Sequence, residues 1–127
     1  MSDCTTRGVR VQVVSIYVPS RSEPENDAYF FAYRVRIDNV GEEGVQLVSR
    51  RWTITDGDGR VQEVQGEGVV GEQPALAPGE TFEYTSACPL GTCVGTMQGS
   101  YKMVLDGGDS FDAEIAPFTL AVPTALN

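Results

Sequence analysis

Apolar and polar residues alternate at every second position along most of this chain, a period that predicts strands rather than helices. In "YFFAYRVRIDN", Tyr29, Phe31, Tyr33, Val35 and Ile37 share one face, and Phe30, Ala32, Arg34 and Arg36 the other. "VQLVSRRWTITD" sets Val48, Trp52 and Ile54 against Val45, Leu47, Ser49, Arg51 and Thr53. Either face can be argued inward, and the Trp52 face is favoured. "ETFEYTSAC" turns Phe82, Tyr84, Ser86 and Cys88 to one side, and "TMQGSYKMVL" does the same with Met97, Gly99, Tyr101, Met103 and Leu105. In "SFDAEIAPFTLAV" the alternation of Phe111, Ala113 and Ile115 is broken at Pro117 and resumes at Phe118 and Leu120. "GVRVQVVSIYVP" changes face between Val13 and Val14, which predicts a bulge there. "DGDG" (56–59) and "DGGD" (106–109) read as hairpin turns, the Asp-Gly pairs of the first supplying the positive φ of a two-residue turn, and "PSRSEPEND" (19–27) as a mobile polar connection.

Seven or eight strands with turn signals about ten residues apart predict one all-β domain. Its architecture is an antiparallel β-sandwich of immunoglobulin-like or fibronectin type III-like character, without the immunoglobulin Cys-Trp-Cys pin. The expected domain is 1–127, with a core of about 8–122 and frayed ends at 1–7 and 123–127.

Composition narrows the function. Nine basic residues stand against 18 acidic ones, a net charge of −9, which disfavours nucleic acid and anionic membrane surfaces as partners. No apolar run is long enough to span a bilayer and the N-terminal segment has no secretory pattern, so a cytoplasmic location is expected. Histidine is absent, which removes the commonest general base and metal ligand. Ser, Thr and Cys nucleophiles therefore lack their usual partner, and no enzyme, metal site or cofactor is expected. The spacing of Cys88 and Cys93 offers two thiols where structural zinc needs four ligands, so Cys88 reads as a small buried hydrophobe, with a redox pair as the weaker reading. "DGDGR" lacks the later ligands of a calcium loop.

"GEGVVGEQP" (66–74) contains G-x-G-x-x-G, the spacing of a dinucleotide-binding turn. That turn must open a helix, and Pro74, Pro78 and Gly79 forbid one here. Gly66, Gly68 and Gly71 then serve backbone geometry, or form a nest of N–H groups for an anion or a partner's carboxylate, with Arg50 and Arg51 nearby. Arg50, Arg51 and Trp52 are residue types enriched at protein contacts, although a solvated, ion-paired sheet face is the favoured reading of the arginines.

The joined motifs W-x-I-T-D at Trp52, G-x-G-V-V-G-x-x-P at Gly66, L-x-P-G-E-x-F-x-Y-T-S at Leu76 and G-x-M-x-G-x-Y at Gly95 resemble the ApaG (CorD) family over about Gly8–Val122. The resemblance implies a fibronectin type III-like sandwich and a small bacterial cytosolic protein associated with cobalt resistance and magnesium efflux. The bacterial gene commonly neighbours a diadenosine tetraphosphate hydrolase. In eukaryotes the domain occurs in an F-box protein and a polymerase-delta-interacting protein, as an interaction module. This chain departs from the family in carrying Arg51 where His often precedes the tryptophan, and Thr92-Cys93 where Thr-Pro is common, and the first change argues against direct cobalt binding. Two functions are in view. One is a non-enzymatic protein-interaction or accessory domain that binds another protein, with a homodimer through open sheet edges also compatible. The other is a sensor of a phosphate-containing small molecule, pyrophosphate or diadenosine tetraphosphate, at the 66–71 loop.

Overall fold

The computed structural model describes residues 1–126. Nine strands form two antiparallel sheets: β1 Ser2–Thr6, β2 Val9–Tyr17, β3 Tyr29–Asn39, β4 Val45–Asp56, β5 Val61–Glu67, β6 Ala75–Leu76, β7 Thr81–Leu90, β8 Val94–Leu105 and β9 Ser110–Ala121. One sheet has the order β1-β2-β3-β7; the other has the order β5-β4-β8-β9, with β6 also paired to β4. The predicted sandwich is therefore present, with one strand more than the sequence pattern counted.

Along β3, β7, β8 and β9 the inward face is the one the alternation marks. Phe31, Val35 and Ile37 of β3 meet Trp52, Met97, Tyr101, Met103, Ile115 and Leu120 of the other sheet in a single buried core. Tyr33, Tyr101 and Phe118 surround Trp52 at ring-centroid distances of 5.4, 6.2 and 6.0 Å, with the last two near edge-to-face.

Local details that the alternation left open are now placed. Residues 1–7 do not fray: β1 pairs with β2 from Ser2↔Val13 to Thr6↔Val9, and Arg10 and Asp3 form an ion pair at 2.6 Å across that ladder. Of the predicted frayed C-terminus, Pro123–Leu126 forms a 3-10 turn and Asn127 lies outside the described residues. There is no bulge at Val13. β2 keeps one register against β3 throughout, and Ser15 and Tyr17 continue the inner face through a hydrogen bond to the Thr119 carbonyl (2.9 Å) and a ring contact with Phe31. Val14 and Ile16 are consequently turned to solvent. The 19–27 connection folds into two 3-10 turns, tied by the Ser22 hydroxyl, which donates to the Val18 carbonyl and accepts from the Phe30 amide.

The β4–β5 hairpin has a three-residue loop instead of two. Asp56 N–H donates to the Arg60 carbonyl, and only Gly59 has positive φ, at 84°. This is a turn followed by a left-handed residue, the next commonest hairpin connection. The β8–β9 loop repeats it with Gly108 at φ 97°. At Pro117, β9 inserts two residues between the partners of Met97 and Gly99, so the proline that breaks the alternation sits in a bulge.

Candidate functional site

β4 organises the site. Its register against β8 shifts between Leu47 and Ser49, leaving Val48 as the extra residue of a bulge. Before the bulge Val45 and Leu47 face the core, and after it Trp52 does. Each of the two faces argued from the sequence is thus inward in half of the strand.

The glycine stretch lies opposite that bulge. β5 and β6 run along the same edge of β4, pairing with it through Ser49↔Glu67 and Gln46↔Ala75. Between them the chain leaves the edge and returns. The Gly68 amide donates to the Val48 carbonyl (2.8 Å), and the Gln73 side chain donates to that same carbonyl (2.9 Å). Val69 and Glu72 exchange two backbone hydrogen bonds at 2.8 and 2.9 Å around Val70 and Gly71. Both central residues are left-handed, Val70 at φ 44° and Gly71 at φ 82°, which is the signature of a type I′ turn.

Each glycine of the motif has its own reason. Gly71 supplies positive φ over open space. Gly68 has φ 63°, and a Cβ there would run into the Glu72 carbonyl oxygen. Gly66 has room only because it lacks a side chain: a Cβ would sit 2.7 to 2.8 Å from the Arg50 guanidinium. Arg50 Nη1 donates to the carbonyls of Glu67 (3.1 Å) and Gly68 (2.9 Å). The loop therefore turns carbonyls toward its arginine, and the amides of Gly68, Val69 and Glu72 are bonded internally. The anion nest weighed from the sequence would have to form without those three donors.

The "RRW" triplet separates by strand pleat. Trp52 is 2% exposed and belongs to the core, so it is not an outer contact residue, and its Nε1 has no acceptor in the protein. Arg50 is half-buried and faces the space between the sheets, alongside Tyr33, Trp52 and Ser86. Arg51 is exposed on the outer face, where it lines a shallow cleft of about 400 Å³ with Ser49, Gln65, Ser100, Lys102 and Asp112. Arg50, Arg51 and Lys102 form no ion pair among the described residues. By contrast Arg34 and Arg36, on the outer face of the other sheet, pair with Glu83 and Asp38. The arginines thus do not make one basic patch.

The core near Arg50 holds polar groups that alternation alone did not single out. The hydroxyls of Tyr84 and Tyr101 hydrogen-bond to each other across the two sheets, and burial raises both phenols above their ordinary range. Tyr33 is raised by the same cause, offset by a hydrogen bond with Ser86. Cys88 is 4% exposed, as its position on the inward face predicted, and burial pushes its thiol up to about 11. All three cysteines are free, and no group of three or more His, Cys, Asp or Glu among the described residues is placed to hold a metal ion. Among the described residues no helix is long and apolar enough to cross a membrane.

A two-sheet sandwich with a glycine hairpin let into the edge of its central strand pair defines a class of small all-β modules. Within that class the chain belongs to the ApaG family, whose domain matches residues 19–105. It is 54% identical over 127 residues to the protein ApaG of Dechloromonas aromatica, covering 100% of both chains, and 56% identical over 119 residues to that of Thiobacillus denitrificans, covering 94% of each. A crystal structure of an ApaA protein from Bordetella pertussis superposes with a TM-score of 0.90 at 54% identity, covering 94% of this chain and 98% of that one. The C-terminal domain of wzt shares the fold alone, at a TM-score of 0.55 and 14% identity, over 94% of this chain and 76% of that one.

Proposed function

We propose that this chain is a non-enzymatic, cytosolic accessory domain that binds another protein through the 68–72 hairpin and the adjoining outer face of β4 and β8. Val70 carries this reading. The first central position of a type I′ turn favours Asn, Asp or Gly, and a left-handed conformation costs other residues roughly 1–2 kcal/mol. Val70 occupies it as a β-branched residue whose side chain is 58% exposed. Strain held at an exposed apolar tip supports contact with a partner. β5 leads from the hairpin to Gln65 and Glu67, which line the cleft around Arg51 and Lys102. Two basic groups without carboxylate partners suit an acidic segment of the bound protein. The cellular role we infer is the one the resemblance implies, an accessory to cobalt resistance and magnesium efflux.

Val70→Gly separates binding from folding. Relief of the left-handed strain is expected to raise stability by about 1 kcal/mol, read as a higher urea midpoint. The same variant is expected to lose proteins that wild type retains in affinity capture from cell extract. Equal capture by the two proteins overturns the reading.

The alternative is a pyrophosphate or diadenosine tetraphosphate sensor at the same loop. It draws on Arg50 and Arg51, which have no ion-pair partner among the described residues. Titration with ATP, pyrophosphate and diadenosine tetraphosphate, following the amide resonances of residues 66–71, separates the two: shifts that saturate support the sensor, and none at millimolar ligand removes it.

A further inference from the structure

The sandwich is closed along one side and open along the other. β1 and β2 pack against β9, whereas β5 extends from β4 with most of its residues exposed. Between β4–β5 and β7 lies a cleft of about 240 Å³. Its lining includes the rings of Trp52 and Tyr33 and the apolar Val64 and Met97, with Gln62 and Ser86 as polar groups beside them. Two of its lining residues, Trp52 and Arg50, carry N–H donors. Trp52 Nε1 is buried without a partner, and Arg50 is half-buried with no carboxylate in ion-pair contact. The guanidinium is also held in place, against Gly66 and under the carbonyls of Glu67 and Gly68.

A fixed, unneutralised guanidinium at the end of an aromatic-walled cleft complements a molecule that is apolar over most of its surface and ends in a planar anion. One cation matches one carboxylate, whereas a phosphate would bring a second negative charge, and Arg50 is the one cationic residue in the lining. We propose that this cleft binds a small aromatic carboxylate, its ring against Trp52 and Tyr33 and its carboxylate on Arg50. Arg50 also borders the outer cleft, but the proposal does not rest on the protein-partner reading.

The chain has one tryptophan, so a nitrogen-proton correlation spectrum contains one indole N–H resonance, and it reports from this cleft. Phenylacetate is the probe and phenylacetamide its uncharged counterpart. Phenylacetate is expected to move the indole resonance saturably and to bind about tenfold more tightly than the amide, the difference a charge-assisted pair supplies. Val64→Phe, which fills the cleft from the exposed edge strand, is expected to abolish the shift. An indole resonance unmoved by millimolar phenylacetate in the wild-type protein overturns the proposal, as does equal binding of acid and amide. Binding undiminished in a folded Val64→Phe protein places the ligand elsewhere and overturns it too.

Discussion

Cys88 shows what one residue's surroundings do to its chemistry. Its thiol is pushed up to about 11 because burial disfavours the thiolate. An acid whose folded-state pKa is raised contributes stability that is intact below its unfolded value, about 9, and is lost as pH rises toward about 11. Thiolate is the reactive form, so Ellman's reagent at mildly alkaline pH is expected to titrate the half-buried Cys4 and Cys93 first and Cys88 only after denaturant is added. Three thiols reacting together in the native protein would contradict this assignment. The burial of Cys88 was legible from its place in the alternation, since a period of two fixes which face a residue joins. The role of Asn39 was not. It is 1% exposed, and its side chain donates to the carbonyls of Glu43 and Leu76 and accepts from the Gly41 amide, joining the end of β3 to the following turn and to β6. Its partners are up to 37 positions distant, and no local pattern encodes them.

At the scale of elements, the glycine hairpin and the β4 bulge answer one another: the edge strand leaves β4 where β4 carries an extra residue. The three glycines are therefore expected to differ under the same substitution. Gly71→Ala strains only φ and costs about 1 kcal/mol. Gly66→Ala displaces the Arg50 guanidinium from its two carbonyls and costs about 2 kcal/mol. Gly68→Ala combines positive φ with a collision against backbone and costs the most, about 3 kcal/mol or more. Urea midpoints of the three variants check the order, and a least-affected Gly68→Ala would show that the hairpin can shift without loss. The sequence contained the strand bodies and the impossibility of a helix after Gly71, because alternation and proline act locally. It left the facing of β4 open, since a bulge exchanges faces without changing composition. The separation of Arg50 from Arg51 and Trp52 from the outer surface followed only once the pleat and the bulge were placed.

Across the whole molecule, the Tyr84–Tyr101 hydroxyl pair is a buried polar link between the inner faces of the two sheets. Tyr84→Phe leaves the hydroxyl of Tyr101, a fully buried residue, without its partner and is expected to cost about 2 kcal/mol. Tyr101→Phe in addition removes the orphan and is expected to recover part of that loss, so a double-mutant cycle should show non-additivity of about 1 kcal/mol. Strict additivity would mean the hydroxyls are not coupled.

The type I′ tip at Val70–Gly71 also divides the chain in a useful place. Strands β1 to β5 precede it and β6 to β9 follow it, yet each sheet draws from both portions: β7 completes the first, and β8 and β9 the second. Neither portion can close a core by itself. Cleavage of that one exposed peptide bond should thus leave two interlocked fragments that co-purify under native conditions and part only in denaturant. Expressed separately, residues 1–70 and 71–127 should be unfolded apart and assemble on mixing, which makes this small sandwich a candidate split reporter.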